Sequence, residues 1–193
     1  MRSLVALAVA LAAPAHAAQA AAITYDIEPS HTYPSFEADH MGGLSTWRGK
    51  FNRSRGVVVL DREAKTGSID IEVDIASVDF GHDEMNRHAI APDIFDAARY
   101  PTATFKGRFT AFDGDKPEKV RGELTLRGVT RAVTLTIEDF NCMIHPMEHR
   151  EVCGADVSAS LNRRDFGLDF GLNMGFKPRV KLNIQVEALR RPG

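Results

Sequence analysis

The run Ser68-Ile69-Asp70-Ile71-Glu72-Val73-Asp74-Ile75 decides the fold class. Apolar and polar side chains alternate through it without a break. A period of two puts every apolar residue on one side of an extended strand and every polar one on the other. The apolar members are all β-branched, which suits the pleated, half-buried surface of a sheet.

The same alternation continues in both directions. Ala103, Phe105, Gly107 and Phe109 alternate with Thr102, Thr104, Lys106 and Arg108. Val120, Gly122, Leu124 and Leu126 follow, then Val133, Leu135 and Ile137, then Ala155, Val157, Ala159 and Leu161. Val180, Leu182, Ile184, Val186 and Ala188 form the last run. Phe36–His40 and Trp47–Leu60 are less regular strands. Lys65-Thr66-Gly67, Asp113-Gly114-Asp115 and Gly128 are turn signals between runs. Tight turns between alternating strands imply antiparallel pairing, with one apolar face and one wet face. About eight such strands predict an all-β fold, either a sandwich or a closed antiparallel barrel. Closure removes exposed edges, and eight strands enclose room for side chains or one small ligand, which favours the barrel.

One segment departs from this pattern. From Gly81 to Arg99, the apolar residues Met85, Ala89, Ile90, Ile94, Phe95 and Ala98 recur at helical spacing. Asp83 and Glu84 suit a helix start, and Pro92 cannot continue a helix. Two short helices within 82–98 are expected.

Composition excludes several classes. Of 193 residues, 44% are apolar and 26% charged, which is ordinary globular usage and not that of a disordered chain. Fifteen Gly and nine Pro argue against a coiled coil. The formal charge of −2 provides no basic field for nucleic acid. Arg2, the apolar run Leu4–Ala13 and the small-residue motifs Ala15-His16-Ala17 and Ala18-Gln19-Ala20 read as a secretory signal peptide over 1–20. Cleavage is expected after Ala20, with Ala17 the alternative. That leaves one domain, 21–193, with no apolar run long enough to span a bilayer. The expected destination is the periplasm.

Cys142 and Cys153 are the two cysteines. An even pair in an oxidising compartment predicts one disulfide, and the stretch between them, which holds Pro146, reads as a hairpin loop. Closing a loop of this length is worth about 3 kcal/mol in the chain-entropy model. Met143, His145, Met147 and His149 in the same loop leave a second reading open, a metal- or haem-related binding protein, although the spacing matches no zinc pattern. The sequence holds no G-x-S-x-G elbow, P-loop or dinucleotide fingerprint, so no catalytic residue is nominated and no cofactor is required. A lipid-acting enzyme is kept as a third reading.

Several motifs in order carry a family resemblance. They are Tyr25-Asp26-Ile27-Glu28-Pro29-Ser30-His31-Thr32, Phe36-Glu37-Ala38-Asp39-His40-Met41-Gly42, Trp47-Arg48-Gly49-Lys50-Phe51 and Ala76-Ser77-Val78-Asp79. Asn86-Arg87-His88, the run Phe95–Phe105, Gly122–Thr130 and Asn162–Gly167 complete the set. The chain resembles the YceI-like family of exported proteins. The resemblance implies an extended lipocalin-like barrel that binds a polyisoprenoid, such as an isoprenoid quinone or a prenyl phosphate, and acts as a binding protein, not an enzyme. Such a protein would store, shield or carry its amphiphilic lipid. Pro34, Asn86 and Arg164 depart from the family pattern.

A polyprenyl tail requires a long apolar tunnel and few polar contacts. Phe36, Trp47, Phe95, Phe105 and Phe109, with Phe166, Phe170, Leu172 and Phe176, are the candidate lining residues. His31, His40, Arg87, His88, Arg163 and Arg164 are the head-group candidates, the arginines because guanidinium suits phosphate. A homodimer is left open.

Overall fold

The computed structural model describes residues 22–192. The expected leader and its cleavage point lie outside the described residues. Among the described residues, eleven strands form one sheet, β1 (Ile23–Ile27), β2 (Tyr33–His40), β3 (Ser45–Phe51), β4 (Ser54–Asp61), β5 (Thr66–Asp74), β6 (Val78–Asp79), β7 (Thr102–Asp113), β8 (Lys116–Leu126), β9 (Val129–Ile144), β10 (Glu151–Asn162) and β11 (Arg179–Arg190). The order β1-β4-β5-β7-β8-β9-β10-β11 returns to β1, which closes an antiparallel eight-stranded barrel. The sandwich is thereby excluded.

The remaining strands branch from the barrel. β11 pairs with β1 through Ala188, Leu189 and Arg190, and with β2 from Val180 to Gln185. β2 and β1 therefore divide one edge of β11 at the corner Glu28–Thr32. β3 and the short β6 extend β2 outward as a flap. Pro34 is opposed to Ile184 of β11 and lies one residue beyond the β2–β3 pairing, which begins at Ser35, so one flank of the strand is open there.

The turns are local consequences of sequence. Arg127 and Gly128 both have positive φ, 53° and 74°, as the two central residues of a type I′ hairpin turn must. Gly107 faces Gly122 across β7 and β8, and a β-carbon at Gly122 would lie 2.7 Å from the Phe105 ring. That glycine pair makes room for Phe105 within the wall.

Only part of the helical stretch folds as expected. α1 runs Asp83–Ala89, capped by the His82 ring, which accepts the N–H of Met85. Beyond Pro92 the chain forms turns instead of a second helix. Asp96 has φ +52°, and the N–H groups of Arg99 and Tyr100 both close on its carbonyl. A left-handed residue there interrupts helical hydrogen bonding.

The two ends of the barrel differ. At the base, Tyr25, Ile27, Leu60, Cys153 and Ala188 form a closed core cluster. The expected disulfide is present there. Cys142 and Cys153 are directly opposed on β9 and β10, and their sulfurs face this cluster. Toward the other end, the inward residues Leu135, Ile137, Val157, Ala159, Leu182 and Ile184 are only half-buried. Ala103 and Phe105 on β7 and Val180 on β11, also on inward faces, are buried, so packing toward this end is uneven.

Candidate functional site

The open end is built by the β2–β3 turn, α1 with its following turns, and the segment between β10 and β11. Aromatic rings from these elements touch in sequence. Phe95 lies 5.7 Å from Phe51, Phe51 5.7 Å from Phe36, and Phe36 5.5 Å from Phe80. Phe80 lies 5.9 Å from Trp47, and Trp47 5.1 Å from His40. His40 meets Phe176 at 5.2 Å, Phe176 meets Phe170 at 6.5 Å, and Phe170 meets His88 at 4.9 Å. The chain of rings starts at Phe95 and ends at His88, both between β6 and β7. Most contacts are edge-to-face or tilted, the favoured geometry for aromatic pairs. None of these rings is fully buried.

Local chemistry fixes the rings. A β-carbon at Gly49 would meet Phe36 and Phe80 at 2.6 and 3.0 Å, and one at Gly171 would meet Phe176 at 2.9 Å. Asn86 accepts the N–H of Phe80 at 2.7 Å and donates to Asp79 at 3.1 Å. The departure at Asn86 is therefore an amide clamp on Phe80. The N–H of Gly81, above all, and the amides of Asn86 and Asn52 hold the Asp79 carboxyl below its ordinary range. Arg127 donates to the carbonyls of Pro92 and Gly167, tying the segments that carry Phe95 and Phe170. A pocket of about 420 Å³ beside the rings is lined by Phe36, Gly49 and Phe80, with Arg48, Lys50 and Asp79.

The structure divides the sequence candidates. Phe36, Trp47, Phe95, Phe170 and Phe176 belong to the chain of rings, and half-buried Leu172 sits in the 3-10 turn Leu172–Met174 beside it. Phe105 is in the barrel wall. Phe109 packs on Phe112 at 5.9 Å, next to the base cluster. Phe166 is 2% exposed and fills the protein interior, with no face left for a ligand.

The polar candidates are equally dispersed. His40 is one of the rings. The His88 Nε2 lies 3.0 Å from Asp93, and that hydrogen bond chiefly holds the Asp93 carboxyl below its ordinary range. Arg163 spends its guanidinium on the carbonyls of Leu168 and Phe170, both at 2.7 Å, and burial lowers its pKa. It is a staple for the loop under Phe170. Arg164 is exposed, 3.9 Å from Asp169, and Arg87 is exposed on α1. His31 lies elsewhere, 2.6 Å from Glu28, in a second pocket of about 430 Å³ over β9, β10 and β11. In the cysteine loop, the His145 Nδ1 accepts the N–H groups of Met147 and Glu148 and so caps the turn.

Sequence reading missed Phe51, Phe80 and Lys50. Trp47, Gly49 and Phe51 keep a period of two, so Phe51 was detectable from strand phase. Phe80 lies beyond β6 and joins the rings only through tertiary contacts.

A closed eight-stranded antiparallel barrel with a packed base and aromatic rings at the other end defines a lipocalin-like fold. The match to the YceI-like domain covers residues 25–188, and the chain belongs to that family. It is 30% identical over 176 residues to a UPF0312 protein of Vibrio cholerae, covering 91% of this chain and 90% of the relative. A UPF0312 protein of Vibrio parahaemolyticus is 31% identical over 186 residues, covering 96% and 95%. Among solved structures, Burkholderia cenocepacia BcnA superposes with a TM-score of 0.67 at 22% identity, covering 83% of this chain and 98% of that one. A polyisoprenoid binding domain from Saccharophagus degradans, implicated in plant cell wall breakdown, gives a TM-score of 0.63 at 15% identity, covering 88% and 99%. These structures share the fold.

Proposed function

We propose that this protein is an exported, periplasmic binding protein that holds the tail of a polyisoprenoid, an isoprenoid quinone or prenyl phosphate, in its barrel. The observation that carries this reading is the run of half-exposed rings at the mouth of the barrel, the end toward which several inward aliphatic residues are only half-buried. A tail burying several hundred Å² at about 25 cal/mol per Å² gains several kcal/mol before the costs of association. Such an interaction needs shape and dryness more than polar contacts. The name given to the Saccharophagus domain supports the ligand class. The disulfide supports an oxidising compartment. The match to the YceI-like family and the name given to the Saccharophagus domain support binding in preference to catalysis.

Native mass spectrometry of the protein offered a polyprenyl quinone or a polyprenyl phosphate in detergent tests the reading. A one-to-one adduct that weakens in Phe51→Ala is expected. A barrel that takes up neither lipid overturns the proposal.

A further inference from the structure

We propose that the mouth is also a docking face for the surface of an anionic lipid bilayer. This rests on the reading of the ligand as a membrane lipid, and it assigns a role to residues outside the chain of rings.

Two segments meet at the mouth, the β2–β3 turn with its flanks, His40–Trp47, and the loop Phe170–Phe176. Neither contains Asp, Glu, Lys or Arg, in a chain with 26% charged residues. Each presents large apolar side chains to solvent. Met41 is 56% exposed, Leu44 75% and Met174 55%. The loops form one unit. Asp39 accepts the N–H groups of Gly42 and Lys177, both at 3.0 Å, and a β-carbon at Gly42 would lie 3.3 Å from the Gly175 carbonyl. Their apolar tips are continuous with the rings, since His40 lies against Phe176.

The absence of charge matters because insertion into the headgroup boundary would desolvate it. Cations flank the two loops. Arg48 follows the first, and Lys177 and Arg179 follow the second. Arg48, which pairs with Glu37 at 3.0 Å, and Lys177, 3.7 Å from Asp39, are nonetheless 70% and 61% exposed. Apolar tips with basic residues behind them match an anionic surface, as the long stems reach the headgroups. Asp39 is turned inward, bonded as above, and Asp169 lies near Arg164.

The hairpin tip at the base also exposes Met143, Ile144 and Met147. It is bordered by Glu138, Asp139, Glu148 and Glu151, against which stand Arg150 on Glu148 and Arg62 and Arg190 near Glu151, so the acids outnumber the cations by one. Those carboxylates would oppose an anionic surface, so docking by the mouth is favoured. In that orientation a tail leaving the bilayer would enter the barrel without crossing water.

The test is flotation with vesicles of phosphatidylcholine, with and without phosphatidylglycerol. Emission from Trp47, the single tryptophan, provides a second readout. The parent protein is expected to float with the anionic vesicles and to shift its emission to shorter wavelength. The double variant Leu44→Asp/Met174→Asp is expected to bind about tenfold more weakly or worse. Both positions are more than half exposed, so folding should persist, and circular dichroism checks it. Met147→Asp is expected to float like the parent. A double variant that floats normally, or a Met147→Asp protein that does not, overturns the docking face. Uptake of the detergent-presented quinone by the double variant, measured in parallel, separates the two proposals. A parent that takes up quinone but never floats overturns docking alone. A parent that floats but takes up no quinone overturns the ligand reading and leaves the membrane face supported.

Discussion

Gly49 is the seat of the Phe36 ring. A β-carbon at Gly49 would come within 2.6 Å of the Phe36 Cζ, and Phe36 is hemmed in by Phe51, Phe80 and Phe95 at 5.7, 5.5 and 6.4 Å. Gly49→Val should therefore displace the ring and cost about 1–3 kcal/mol by overpacking. Urea unfolding measures the cost. Quinone uptake should fall further than stability alone explains. Unchanged stability and uptake would show that the rings are free to move aside.

Arg127 ties two segments of the mouth together, donating to the Pro92 carbonyl at 2.6 Å and to Gly167. Arg127→Met keeps most of the stem and loses the donors. The expected loss is about 1–2 kcal/mol. Amide exchange should speed up selectively over 91–97 and 166–170, while the base strands stay protected. Uniform exchange across the barrel would show that the tie is not local.

The disulfide should act on stability and leave the mouth intact. Its sulfurs adjoin Tyr25, Ile27, Leu60 and Ala188 at the base. Cys142→Ser/Cys153→Ser should lower stability by up to about 3 kcal/mol, the chain-entropy value for a loop of this size. Quinone binding by the folded fraction should be unchanged. The parent should gain two hydrogens in mass on reduction, and free thiols in protein isolated from an oxidising compartment would refute the bridge.

Tyr25 sets an alkaline limit. Burial first, then the hydrogen bond it donates to Glu151 and that carboxylate's charge, push its pKa from 10.0 up to about 12. The unfolded chain gives up this proton near pH 10, whereas the folded chain keeps it. The resulting stability is complete below pH 10 and is lost as pH rises from 10 toward 12. In Tyr25→Phe the alkaline fall in melting temperature should be shallower. An identical profile in the variant would detach that fall from Tyr25.

Much of the barrel was legible because each strand writes its inward face at alternate positions. Ile69, Ile71 and Val73 needed no knowledge of their partners. The choice of barrel over sandwich was not written in any one strand, since it depends on β1 finding β11. Aromatic identity singled out Phe36, Trp47, Phe95, Phe170 and Phe176, which the fold brings into one chain of ring contacts. It misled at Phe166, whose burial depends on how the 3-10 turn Arg163–Phe166 folds back. The polar candidates were the least legible. His31 and Arg163 differ in role only because their partners, Glu28 and two loop carbonyls, are set by geometry that spacing does not encode.

The seam of the barrel has a bearing on when the container comes into being. β1 and β11 join through three residue pairs, and Asp26 clasps Arg191 across a sequence separation of 165. The cysteine hairpin, by contrast, closes across a separation of 11. Local contacts form early in folding and distant ones late. The hairpin at the base can thus be oxidised while the wall is still an open sheet. The closed barrel exists only after β11 has docked, so under the proposed function a lipid captured during folding would have to be wrapped, whereas one loaded afterwards would have to enter past the aromatic residues.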